Sequence, residues 1–67
     1  MAHPLMRYFD VASRTKNPNI KVVGEWMENV AQYMDDFLPD GAEKTVAMRK
    51  LLEAKDAACR AALDLPE

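Results

Sequence analysis

A four-residue break, Leu38-Pro39-Asp40-Gly41, separates two long stretches in which apolar residues recur every three or four positions. This break constrains the chain more than any other feature. Pro39 and Gly41 stop a helix, yet a connection so short leaves the flanking helices only one arrangement, as antiparallel neighbours in a helical hairpin. The fold class that follows is all-α.

The stretch after the break contains no Gly or Pro before Leu63 and is dominated by Ala, Leu, Lys, Arg, Glu and Met, all strong helix formers. Asp40 can cap its first amides, and Glu43, three residues on, can reach back to complete a capping box. A helix is expected over about 41–63, with the turn at 38–41. One seam on it runs Ala47, Leu51, Ala54, Ala58, Ala61, Leu65, and small residues of that kind let a partner helix approach closely. A second stripe runs Met48, Leu52, Cys59, Leu63. One partner helix cannot cover both, so the second stripe is expected to be a contact between subunits.

Asn17-Pro18 reads as a helix start, since Asn suits the N-cap and Pro is tolerated at the first helical position. The helix expected over about 18–37 carries Ile20, Val23, Met27, Val30, Met34 and Phe37, with Trp26 and Tyr33 widening the apolar face. Trp26 is expected in the core. Gly24 costs about 1 kcal/mol against Ala in a helix interior, so a second backbone or a ligand should come close there. Asp35 and Asp36 sit where the helix dipole disfavours acids and should meet bases from elsewhere. In the hairpin, Asp35 and Glu28 fall within reach of Lys50, Lys55 or Arg49. Residues 1–16 form either a short helix from Pro4, with Leu5, Met6, Phe9 and Ala12 on one face, or an extended arm. Residues 17–65 form the hairpin.

Sixty-seven residues support only one small domain. A core of this size rarely supplies more than about 3–5 kcal/mol, so disulfides, a metal or a partner usually add to it. Cys59 and His3 each stand alone, which rules out an internal disulfide and a one-chain Cys/His zinc site. Homo-oligomerisation remains. No apolar run approaches a membrane span and no signal-peptide pattern opens the chain, so a soluble cytoplasmic protein is expected.

The net charge of −2 argues against a protein that coats long nucleic acid. Its distribution is uneven. Arg7, Arg14, Lys16 and Lys21 dominate residues 1–22, while residues 23–43 hold six acids and no base. Any anionic ligand should therefore be small and held by a local cluster. No phosphate loop, zinc-protease motif or paired Cys motif occurs, Cys59 lacks an activating base, and His3 reads as solvated and incidental. No catalytic residues, metal or cofactor are expected. The candidate site lies at the open end of the hairpin. There the first helix begins (Asn17 to Lys21), the second ends near Arg60, and Arg14–Lys16 joins them. A helix N-terminus suits a phosphate, and Tyr8, Phe9 or Trp26 could supply a ring for a base.

The run Pro39-Asp40-Gly41-Ala42-Glu43-Lys44-Thr45-Val46-Ala47-Met48-Arg49-Lys50-Leu51-Leu52-Glu53-Ala54, continuing through Ala58 and Ala61, resembles the helical-hairpin domain of small phage anti-defence proteins. These include the cyclic-oligonucleotide sponges that block CBASS immunity and the related Thoeris anti-defence sponges. In that family a proline and a polar turn precede Glu, a basic residue, Ser or Thr, and alternating aliphatic and Ala positions. Relatives carry a Tyr-His or similar aromatic motif before the first helix, where this chain has Tyr8-Phe9-Asp10-Val11.

The resemblance implies a homohexamer of interlocked hairpins in the host bacterial cytoplasm. It also implies binding, without cleavage, of cyclic di- or trinucleotides or a cyclic ADP-ribose variant. The residues expected to hold phosphates are Lys21 and Arg60, with Arg14 or Lys16, and Tyr8 is expected to stack on a base. Arg49 and Lys50 are candidates for a site between subunits. The competing expectation is a helical interaction module that docks a partner protein through its exposed apolar stripe.

Overall fold

The structure is a computed structural model and describes residues 3–66. Residues 1 and 2 of the expected N-terminal segment lie outside the described residues. Among the rest there are three helices and no strand: a 3-10 helix at Pro4–Phe9, α1 at Pro18–Phe37 and α2 at Ala42–Ala62. The two long helices pack as the expected hairpin, and the short helix packs against both.

The sequence signals for α1 act as anticipated. Asn17 holds an extended backbone, and its Oδ1 accepts from the N–H of Asn19 at 2.9 Å and of Ile20 at 3.2 Å. The helix ends at Phe37 because Pro39 disfavours the helical region for Leu38. Leu38 is extended, and its N–H donates to the Met34 carbonyl at 3.0 Å. Gly41 then takes φ 156°, a conformation that side-chain-bearing residues rarely adopt. The expected capping box does not form. Gly41 occupies the cap of α2 and offers no side chain, and the Asp40 carboxylate is drawn instead to Lys44 Nζ at 3.1 Å. A charge-assisted bond to an ammonium outcompetes a bond to a neutral amide.

The centre of the core takes one residue from each helix: Phe9, Ala31 and Met48, all fully buried. Leu5, Met6, Met27, Met34, Leu51 and Leu52 pack around them. Burying side chains of the size of Phe9 or Met48 contributes about 1.5–3 kcal/mol each. Gly24 is also buried. A Cβ there would lie 3.1 Å from Val11 Cβ and 3.2 Å from the Ala12 backbone nitrogen, so the close approach is by a second backbone.

The apolar face of α2 is rotated from where periodicity alone put it, whereas on α1 Ile20, Val23, Met27 and Met34 of the expected stripe are half-buried and Met27 and Met34 pack on the core. On α2 the inward line is Lys44, Met48, Lys55 and Ala62, with Leu52 and Cys59 beside it. The stripe expected to face a second subunit therefore faces the hairpin itself, except for exposed Leu63. On the alanine seam, Ala54, Ala61 and Leu65 are exposed, while Ala47, Leu51 and Ala58 are half-buried. On α1 the inward line passes through Gly24 and Ala31, and Val30, Trp26 and Phe37 are exposed. The expectation of Trp26 in the core is thus overturned. The cause is the N-terminal segment. Phe9 fills the space between Ala31 and Met48, and the chain after it, at Val11 and Ala12, comes close to Gly24 of α1.

Candidate functional site

The most buried polar cluster lies near the closed end of the hairpin. Lys44 Nζ sits 3.0 Å from Asp35 Oδ1, with the two side chains only 4% and 5% exposed. It also donates to the Asp35 carbonyl at 2.9 Å and to Asp40. The His3 N–H donates to both Asp35 carboxylate oxygens at 3.2 Å. His3 Nδ1 accepts from the Leu5 N–H at 3.1 Å, which leaves the ring proton on Nε2, 3.2 Å from Thr45 Oγ1. Thr45 Oγ1 in turn donates to the Gly41 carbonyl.

His3, expected to be incidental, therefore ties the N-terminal segment to both long helices. The hydrogen bond from Lys44 holds the Asp35 carboxyl below its ordinary value, against the opposing pull of desolvation. The bonds to Asp35 and then Asp40 hold Lys44 above its own. The expected base for Asp35 is present, but it is Lys44 rather than Arg49, Lys50 or Lys55. Asp36 meets the amide of Gln32 at 2.9 Å rather than a base, and Lys55 pairs with Asp56 at 2.7 Å. The sequence held the signal for Lys44: it lies four residues after Asp40, where both fall on one face of a helical turn.

At the open end, the Asn19 side chain donates to the Pro66 carbonyl at 3.0 Å, which brings the start of α1 to the chain beyond α2. Lys21 in the first turn of α1 and Arg60 in the last turn of α2 are thus at one end of the hairpin, joined by Lys16 in the preceding loop. Among the described residues none of Lys16, Lys21, Arg49 and Arg60 is in an ion pair, and all four are exposed. Arg14 pairs with Asp10 at 3.8 Å, and Lys50 with Glu53 at 3.7 Å. Exposed pairs of this kind contribute about 0–1 kcal/mol and yield readily to a stronger anion.

Two expectations for the open end need correction. The amides at the start of α1 are not free for a phosphate, because Asn17 takes those of Asn19 and Ile20 and Pro18 has none. Phe9 is fully buried and offers no stacking surface. Tyr8 is exposed, with the Arg7 guanidinium 4.9 Å above its ring and donating to its hydroxyl at 2.9 Å. Arg7 was not among the sequence candidates, although its position beside Tyr8 in a charge-rich segment pointed to it. Arg49 and Lys50 lie mid-helix on α2, away from the open end.

No group of three or more His, Cys, Asp or Glu able to hold a metal occurs among the described residues, and no helix there is long and apolar enough to cross a membrane. No protein-family model, curated protein or solved structure matches the chain.

Proposed function

We propose that this chain is a non-enzymatic, homo-oligomeric phage anti-defence protein that sequesters a cyclic oligonucleotide immune messenger in the host bacterial cytoplasm. The ligand class is a cyclic di- or trinucleotide, or a cyclic ADP-ribose variant, and the assembly implied is a hexamer. The proposal starts from the resemblance carried by Pro39 to Ala61. The observation that supports it is the set of exposed cations at the open end, Lys16, Lys21 and Arg60, which are in no ion pair among the described residues. Cations of this kind meet a ligand whose charge is confined to two or three phosphates. Tyr8 supplies an exposed ring, and Arg7 over it a fourth cation. Arg14 joins the site if the ligand displaces Asp10.

Native mass spectrometry of the pure protein with a panel of cyclic di- and trinucleotides tests the reading. Discrete ligand masses on an oligomer support it. Lys21→Ala or Arg60→Ala should then weaken binding at least about tenfold, equivalent to the 1.4 kcal/mol of one charge-assisted contact. Unchanged affinity in both variants removes the open end as the site, and indifference to the whole panel sinks the sponge. A second reading is favoured by the exposed rings of Trp26, Tyr33 and Phe37. In it the hairpin is an interaction module for a different protein and the basic end is incidental.

A further inference from the structure

We propose that Asp40 is a site of spontaneous backbone modification, at which the Asp40-Gly41 bond converts through a cyclic imide to an isoaspartyl linkage. The inference goes beyond the proposed function and depends on neither its ligand nor its oligomeric state.

The reaction asks two things of a structure. The main-chain N–H after the acid must be free to act, and the carboxyl carbon must have room to reach it. The chain holds six Asp and three Asn, and the fold withholds the amide from all but one. Asn29, Asp35, Asp36 and Asp56 lie inside α1 or α2, where the next amide belongs to the helix ladder. Asn17 precedes Pro18, which has no N–H, and the Ile20 N–H after Asn19 donates to Asn17 Oδ1 at 3.2 Å. The Val11 N–H after Asp10 donates to the Phe9 carbonyl at 2.9 Å, and the Leu65 N–H after Asp64 to the Ala62 carbonyl at 3.1 Å. Each of these eight is also followed by a residue with a side chain, which crowds ring closure.

Asp40 differs on every count. It lies in the turn between the helices, and the Gly41 N–H donates to no protein acceptor among the described residues. The engaged end of Gly41 is its carbonyl, which accepts from the Thr45 N–H at 3.2 Å and from Thr45 Oγ1 at 3.3 Å. Nothing lies within 4 Å of where a Gly41 Cβ would stand, and the Asp40 side chain is 96% exposed. An exposed turn at glycine gives the backbone freedom to bring Cγ and nitrogen together. One contact opposes this, since Lys44 Nζ holds Asp40 Oδ1 at 3.1 Å. A pair whose carboxylate stands in water slows the reaction by no more than about fivefold, the equivalent of the ~1 kcal/mol ceiling on such pairs.

The atoms balance without a metal, an oxidant or an enzyme. The Gly41 nitrogen attacks Asp40 Cγ and loses its proton, a carboxyl oxygen leaves as water, and a five-membered imide closes. Water then opens the ring at either carbonyl. Opening at Cγ restores Asp40. Opening at the former main-chain carbonyl routes the chain through Cβ and Cγ and leaves that carboxylate as the side group. The product carries one extra backbone atom in the connection and an acid one carbon shorter. It should part from Lys44, which keeps Asp35 at 3.0 Å. The change falls at the Gly41 carbonyl from which α2 starts, at the end of the hairpin away from Lys21 and Arg60.

Ageing the pure full chain in warm neutral buffer, then mapping its peptides by electron-transfer fragmentation, tests the proposal. A parallel sample in denaturant gives the rate for the unfolded chain. The native protein should accumulate isoaspartate at residue 40 at a rate within about fivefold of the unfolded chain, passing through a species lighter by one water. The other acids should form it only in denaturant. Asp40→Glu keeps a carboxylate but demands a six-membered imide, and should abolish the product. Asp40→Asn, whose amide leaves as ammonia, should hasten it. A native rate at residue 40 further below the unfolded one than fivefold overturns the proposal, and so does isoaspartate concentrated at another residue. The wild-type comparison alone decides, whether or not either variant folds.

Discussion

Phe9→Ala should unfold the hairpin and not merely release the segment that carries it. Phe9 has no exposed surface and shares the core centre with Ala31 of α1 and Met48 of α2. Truncating a buried Phe costs about 3–5 kcal/mol, because the cavity adds to the lost transfer energy. A single core in a chain this short supplies only about 3–5 kcal/mol in total, so the substitution removes most of it. At about 4–8 °C per kcal/mol for a domain of this size, the thermal midpoint should fall by at least about 12 °C, or no transition should remain. Far-UV circular dichroism at one fixed protein concentration reads this, since assembly makes the midpoint depend on concentration. Tyr8→Ala is the control. The ring next door is half in water over Arg7, and its loss should stay within about 0.5 kcal/mol. A Phe9→Ala midpoint within about 4 °C of the wild type, a loss of no more than about 1 kcal/mol, would refute the reasoning. The hairpin would then stand without its N-terminal segment.

Two further expectations concern the polar cluster and the helix crossing. Asp35 is held below its ordinary value of 3.8, so its contribution to stability is present above 3.8 and lost as pH falls through the lowered folded value. Lys44 is held above its ordinary 10.5, so its contribution is present below 10.5 and lost as pH rises through the raised value. Stability from this pair should be flat across neutral pH. Lys44→Met should strand the Asp35 carboxylate in a nearly dry site and raise its value, so the acid transition in a denaturant series should change direction: stability falls at neutral pH and recovers as the carboxyl is protonated, and adding Asp35→Asn should remove that recovery. A Lys44→Met variant with an unmoved acid transition would show the pair to be energetically silent. Gly24→Ala should not deliver the usual gain of about 1 kcal/mol, because its Cβ meets Val11 and the Ala12 backbone at 3.1–3.2 Å. Gly24→Val should cost about 1–3 kcal/mol by overpacking. A urea midpoint raised by Gly24→Ala would mean that the 10–17 loop is not seated on α1.

What the sequence disclosed and what it hid divide along one physical line. Signals that act within a turn of chain were readable: Asn17-Pro18 starts α1, Pro39 ends it, Gly41 reverses the chain, and Gly24 announces a close backbone. Which stripe faces inward was not readable, because a helix rich in Ala and Leu carries several stripes of equal periodicity. A third element chooses among them. Phe9 and His3, from a segment with weak local signals, pack on the side of α2 where Met48 turns fully in, while Ala54, Ala61 and Leu65 of the alanine seam stay exposed.

The same rotation bears on function. It moves the surplus apolar face from Met48 and Cys59 to Trp26, Tyr33 and Phe37, and it seals the helix start with Asn17 so that only side-chain cations remain for an anion. The two surfaces are then separable. Lys21 lies about a turn and a half from Trp26 along α1 and well over 100° around it, toward the side that the N-terminal segment covers. Lys21 therefore lies on a different side of α1 from the exposed rings of Trp26, Tyr33 and Phe37. Tyr33→Glu, on the face of the exposed rings, is therefore expected to leave the open-end cation cluster as it is, so ligand binding by that variant should match the wild type.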